Sequence, residues 1–281
     1  MPPHFFEVTP GKRLYHYTSL PAARGVLESE TIWMSDFARM NDPGEYHYAR
    51  KCYLEARHSN LAFIDGVPRL LATFALLELE ASTVMFIACF SEEPDDPHQW
   101  QRYGDDGRGC VIGFDASYLA EKAGVTVRRI VYHRDAIDAF VGAGLTMLQT
   151  EYEKNPDDRD GITELARFFS ADLFAFKHPD FAAEGEVRIS RLLLRDDVPG
   201  PGVYDGGGHC IDGTPLPALP VHERQGAHGP TRYVALPLAR DGQTAIRSLT
   251  FGAAVDDAEI VAFSHPAGRA RCGTERSRPT L

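Results

Sequence analysis

The chain is poor in cysteine, in positive charge and in long apolar runs, and each shortage removes a class of protein. Its five cysteines, Cys52, Cys89, Cys110, Cys210 and Cys272, form an odd, scattered set without a C-x-x-C pair, which excludes a disulfide framework and a paired-cysteine zinc site. Lysine and arginine number 29 against 40 acidic residues, a formal net charge of −11, so the electrostatic footprint of a non-specific nucleic-acid binder is missing. The strongest apolar stretches, near Leu70–Leu77 and Val84–Phe90, fall short of the roughly 20 residues a membrane-spanning helix needs. The first residues, MPPHFFEVTPGKR, lack a basic segment followed by an apolar one, so a cytoplasmic protein without membrane contact is expected. Also missing are a G-x-S-x-G elbow, a P-loop and an H-E-x-x-H pair. The 11 histidines show no ligand spacing. His209, Cys210 and Asp212 read as polar residues of a loop, and no metal site is expected.

What is present is ordinary globular material: 281 residues, 43% hydrophobic and 25% charged, enough for one large domain over residues 1–265. Lys12–Ser19 reads as a strand with Leu14, His16 and Thr18 on one face. A short helix ending near Glu30 and a strand over Thr31–Ser35 follow. Asp42-Pro43-Gly44-Glu45 combines a capping acid, a first-turn proline and a glutamate three residues on, which predicts a helix running to about Arg57. A further helix is expected over Val67–Glu80 and an interior strand over Thr83–Phe90. Then come one or two helical turns at Pro97–Tyr103, strands at Cys110–Asp115 and Val125–Tyr132, and two amphipathic helices marked by Ile137 to Leu148 and Ile162 to Leu173. Glu184–Leu194 alternates as a strand from its first residue. Asp196–Pro230 holds eight glycines and six prolines in 35 residues and reads as a long irregular insertion. Arg232–Leu238 and Ala245–Gly252 are the last expected strands and Asp256–Phe263 a short helix, with residues 266–281 a disordered tail. The pattern predicts an α+β fold around a split, mainly antiparallel β-sheet with surrounding helices.

The chemistry-bearing feature is Glu184 and Glu186, two residues apart on a strand and hence side by side. Like charges so close cost energy unless solvent, a cation or a substrate compensates them. Spacing alone favours a solvated strand face on which Arg188 completes a surface ion-pair row.

Three segments read together shift that balance: Tyr15-His16-Tyr17-Thr18-Ser19, Cys89-Phe90-Ser91-Glu92, and Phe181 to Arg188 with its Glu184-Gly185-Glu186 centre. Histidine, serine and glutamate in this chain order resemble the three-part signature of NAD-dependent ADP-ribosyltransferases. Adding Met40-Asn41-Asp42-Pro43 with Glu45, Trp100 with Tyr103 and Gly109, and Phe176-Lys177-His178, the pattern from about Leu14 to Gly252 resembles the bacterial family named domain of unknown function 2971. The insertion at 196–230 has no counterpart in it.

The resemblance implies an ADP-ribosyltransferase-like fold and a site that consumes NAD. Glu186 would stabilise the oxocarbenium-like centre formed when the nicotinamide–ribose bond breaks, and Glu184 would orient or deprotonate the acceptor. His16 and Thr18 would hold the ribose of NAD, with Ser91 supporting Glu186. Tyr103 or Trp100 would stack on nicotinamide, although a packing role is favoured for both, and Arg13 or Arg24 would meet the pyrophosphate. Asn41-Asp42-Pro43-Glu45 is assigned to helix capping first and to substrate contact second. The segment Lys177–Ala183, with Lys177, His178 and Phe181, would contact the acceptor, whether protein, nucleic acid, small molecule or water. Two alternatives remain: an NAD-using RNA 2′-phosphotransferase-like activity, and a non-catalytic ligand-binding module in a phage-defence or toxin system.

Overall fold

The computed structural model describes residues 6–40, 43–60, 66–196, 202–226, 229–264 and 273–277. Strand β1 (Arg13–Thr18) leads through Ser19, whose hydroxyl accepts from the Ala22 amide, into α1 (Leu20–Ser29). Glu30, in the left-handed region at φ 48°, ends that helix and turns the chain into β2 (Thr31–Asp36). Helices α2 (Pro43–Asn60) and α3 (Gly66–Ser82) precede β3 (Thr83–Ser91); the expected cap Asp42 lies outside the described residues. Asp96 then caps the short helix α4 (Pro97–Tyr103) through the His98 and Gln99 amides, as first-turn donors require.

The middle of the chain supplies β4 (Cys110–Asp115), α5 (Ala116–Lys122), β5 (Thr126–Arg129), α6 (Arg134–Lys154) and α7 (Arg159–Ala171). Strand β5 stops three residues short of the predicted Tyr132, because Val131 leaves the sheet to bridge Phe176. A 3-10 turn over Pro179–Glu184 and Gly185, at φ 50°, redirect the chain into β6 (Glu186–Arg195).

The insertion is more ordered than its composition predicts. It contains β7 (Val203–Tyr204), the small hairpin β8 (Gly208–His209) and β9 (Pro215–Leu216), and β10 (Val221–Gly226), which pairs antiparallel with β11 (Gly229–Pro237). One buried carboxylate supplies order that glycine and proline withhold: Asp205 accepts from Arg191 Nε at 3.1 Å, the Gly207 amide at 3.1 Å and the Leu219 amide at 2.8 Å. After β12 (Ala239–Arg240), β13 (Gln243–Thr244), β14 (Ile246–Phe251) and α8 (Asp257–Ser264), the chain adds β15 (Gly273–Arg276) inside the predicted tail.

Pairing makes the fold a mixed α+β structure around one large sheet. Among the described residues every strand pair of that sheet is antiparallel except β14–β15. Strand β3 pairs along its whole length with β6, from Thr83–Leu194 to Ser91–Glu186. Its other edge is shared: β2 meets it at Phe86 and Ile87, and β1 meets it at Ser91. The sheet therefore forks along β3 into a β2–β11–β10 wing and a β1–β4–β14–β15 wing. One face buries Phe86, Phe90, Phe114, Val187 and Ile189; a second core lies among α2, α3, α6 and α7, around Leu76, Phe140, Leu148 and Phe169. Among the described residues no helix is long and apolar enough to cross a membrane.

Candidate functional site

The two glutamates do converge, through a different local structure from the one their spacing suggests. Glu184 is not on the strand: it ends the 3-10 turn, and left-handed Gly185 swings the chain so that both carboxylates meet the Lys177 ammonium. Lys177 Nζ lies 2.5 Å from Glu184 Oε2 and 2.8 Å from Glu186 Oε2, with Glu45 Oε2 at 3.8 Å. Arg188 adds the second cation, donating from Nε to Glu186 Oε1 at 2.6 Å and from Nη2 to Glu186 Oε2 at 3.0 Å and to Glu45 Oε1. The face expected to be solvated is interior instead, with Arg188 only 1% exposed.

Burial of like charges is tolerable only with such pairing. Burial alone would raise the Glu186 carboxyl, but Arg188 and Lys177 bring it down to about 2. Burial works against the Lys177 ammonium in the same way, and Glu186 and Glu45 outweigh it, so its pKa is raised. The Cys89 thiol beside Glu186 is pushed up by burial and by that carboxylate. Tyr132 accepts from the Glu186 amide at 3.0 Å and fixes the start of β6.

Beside this cluster opens a cavity of about 410 Å³ between α4 and the Pro179–Glu184 turn, lined by Gln99, Arg102, Tyr103, Phe181 and Glu184 among others. Glu184 is the member of the carboxylate pair that reaches it. Its Oε1 accepts from the Tyr103 hydroxyl at 3.2 Å and lies 3.2 Å from Arg102 Nη1, while its backbone carbonyl accepts from Gln99 Nε2 at 2.8 Å. Burial and then Glu184 raise the Tyr103 phenol, which stays protonated and donating. The Phe181 ring has Lys177 Nζ 5.1 Å and the Arg102 guanidinium 5.2 Å from its centroid, both within cation–π range.

Residues 99–189 match the protein family described as Protein of unknown function (DUF2971). The DUF2971 match runs from α4 into β6, so it holds Tyr103, Lys177, Glu184, Glu186 and Arg188, whereas His16, Thr18, Glu45 and Ser91 precede it. No curated protein and no solved structure matches the chain.

The remaining expected site residues are placed elsewhere. In-register partners share a sheet face, so Tyr15, Ser91 and Glu186 form one row across β1, β3 and β6. His16 projects to the other face, its ring 5.8 Å from that of Phe90, and Thr18 follows it two residues on. His16 Nδ1 donates to the Cys89 carbonyl at 2.9 Å, at a position of β3 that neither β1 nor β2 pairs with. The Ser91 hydroxyl accepts from the Glu93 amide at 3.0 Å and makes the turn after β3; Lys177 and Arg188 hold Glu186 in its stead. Trp100 is the packing anchor, edge-on to Tyr17 at 5.2 Å and donating to Asp95 Oδ1 at 2.6 Å.

Of the expected acceptor contacts, Lys177 is buried among carboxylates, a correction, whereas His178 packs on Tyr48 and Phe181 borders the cavity. Arg13 is exposed and Arg24 lies over Phe263, donating to the Ala262 carbonyl. Sequence reading missed Arg102 at the cavity and the second role of Glu45, which a capping motif explained without need of a partner. Among the described residues no group of three or more histidine, cysteine, aspartate or glutamate side chains is placed to hold a metal ion.

Proposed function

We propose that the protein cleaves the nicotinamide–ribose bond of NAD, passing ADP-ribose to an acceptor or to water, with the reacting end in the cavity between α4 and the Pro179–Glu184 turn. The observation that carries this reading is Glu184, a buried carboxylate held at the cavity wall by Tyr103 and Lys177. Bond cleavage builds positive charge on the ribose, and a carboxylate already fixed beside it stabilises that charge without reorganisation. The rings of Tyr103 and Phe181 offer faces to the planar nicotinamide. The volume, about 410 Å³, falls within the roughly 300–1,000 Å³ of small-molecule sites.

The resemblance assigned the oxocarbenium role to Glu186; the geometry supports its neighbour. Both oxygens of Glu186 are engaged by Lys177 and Arg188, so its charge is spent on holding Lys177, which in turn holds Glu184. The acceptor would approach past Phe181 and His178.

Purified protein with NAD and cell lysate, to supply the acceptor, is expected to release nicotinamide, measured by chromatography. Glu184→Gln should lower the rate at least about 100-fold, the scale on which removal of one preorganised stabilising group acts. Equal release from wild type and the variant overturns the reading, and NAD binding by calorimetry without turnover in lysate replaces it with a ligand-sensing one.

A further inference from the structure

The cavity is not empty of ligand-like groups: the chain's own Arg102 guanidinium sits in it. Three contacts define its seat. Nη1 lies 3.2 Å from Glu184 Oε1, and the guanidinium carbon lies 5.2 Å from the Phe181 centroid and 5.8 Å from the Tyr103 centroid. A carboxylate oxygen with two aromatic rings is the donor set that recognises a flat cation. Glu184 is 9% exposed at its side chain, but that of Arg102 is 55% exposed, so the carboxylate is fixed and the guanidinium can swing into water.

Occupancy of the individual lone pairs sharpens the point. Glu184 Oε2 accepts from Lys177 at 2.5 Å, and Tyr103 donates one hydrogen bond to Oε1. The remaining Oε1 position is the one Arg102 fills. Besides Arg102, the charged side chains lining the cavity are the carboxylates Glu184 and Asp180, so departure of the guanidinium leaves an anionic, aromatic recess.

We infer that this cavity is a binding site for a planar organic cation, and that Arg102 is its internal stand-in, which an incoming ligand must displace. The inference rests on the proposed function only for the location of the site: cation binding can hold where NAD cleavage fails, and a binding measurement separates the two.

The test is calorimetry with 1-methylnicotinamide, a planar pyridinium cation, and with neutral nicotinamide as the uncharged control. Three proteins are compared: wild type, Arg102→Met, which keeps the apolar stem over the rings, and Glu184→Gln. Removing an exposed competing ion pair, worth up to about 1 kcal/mol, should tighten cation binding roughly three- to fivefold in Arg102→Met. The neutral amide, which cannot pair with the carboxylate, should bind wild type and Arg102→Met more weakly than the cation does, and Glu184→Gln should lose the preference for the cation. Thermal melts establish that each variant is folded; Arg102→Gln, which removes the charge but keeps a polar side chain, serves if the methionine variant is not.

Several results overturn the inference. They are cation binding unchanged or weakened in Arg102→Met, equal binding of cation and neutral amide to wild type, and no cation binding to any folded protein. Pyrophosphate that binds wild type and is lost in Arg102→Met would mark Arg102 as an anion contact and overturn it equally.

Discussion

Lys177 decides the character of the site. A buried ammonium between Glu184 and Glu186, with Glu45 at 3.8 Å, makes three interior carboxylates tolerable, and removing one partner of a buried pair costs far more than the pair contributes. Lys177→Met is expected to lower stability by about 3–5 kcal/mol, read as a drop in the urea midpoint, with Arg188 left as the one buried cation facing Glu186. A midpoint unchanged from wild type would mean that solvent reaches this cluster. Little of this was legible in the sequence. Glu184 and Glu186 stood out by their spacing, but a periodic reading put them on a solvated strand, and it gave Lys177, seven residues before Glu184, no reason to meet them. The convergence depends on an irregular 3-10 turn and the positive φ of Gly185, which no hydrophobic period announces. His16 was legible as a strand residue; its role as partner of the Cys89 carbonyl depends on the sheet fork and was not.

At the scale of elements, legibility followed burial asymmetry. Helices α6 and α7 each bury one face, so their apolar periods predicted them within a few residues, and β3, buried largely on both faces, was read from its continuous apolar run. Strand β10 escaped because it is an edge strand, its four central residues all exposed, which leaves no alternation to read. Its order comes from pairing with β11, the next strand in the chain, while Asp205 holds the segment before it through the Leu219 amide. One glycine carries a comparable tertiary constraint. Gly109 packs the loop after α4 against β1 so closely that an added Cβ would sit 2.2 Å from the Thr18 carbonyl oxygen and 2.9 Å from that of Gly104. Backbone on both sides cannot yield as a flexible side chain would. Gly109→Ala is therefore expected to cost about 3 kcal/mol, at the upper end for overpacking, measured by denaturant unfolding. Because α4 carries Arg102 and Tyr103, the variant should also weaken ligand binding at the cavity; retention of wild-type midpoint and affinity would show that the loop relaxes freely.

For the whole molecule, the sheet carries two titrating groups of like consequence on its opposite faces, His16 on β1 and Glu186 on β6. His16 is kept neutral: burial lowers its pKa below the ordinary 6.5, against the opposing effect of the Cys89 carbonyl. Below 6.5 the unfolded chain therefore binds more protons than the folded one, and stability is lost as pH falls through that value. Glu186 acts in the same direction further down. Its carboxyl titrates near 2 folded against 4.5 unfolded, so the stability it contributes is complete above 4.5 and drains away as pH falls toward 2. Glu92, lowered because Lys12 and Arg129 outweigh its burial, adds to this acid limb. Thermal melts between pH 8 and pH 3 should thus show a plateau, a shallow decline beginning near 6.5, and a steeper one below about 4.5. The two limbs are separable. His16→Phe should remove the shallow one and leave the steep one, whereas Glu186→Gln should flatten the steep one while lowering the plateau, since Arg188 and Lys177 lose their shared anion. A profile that stays flat down to pH 3 in the wild type would show that Glu186 is not buried among its cations in solution, and with that the cluster that fixes Glu184 at the cavity wall through Lys177 would fail.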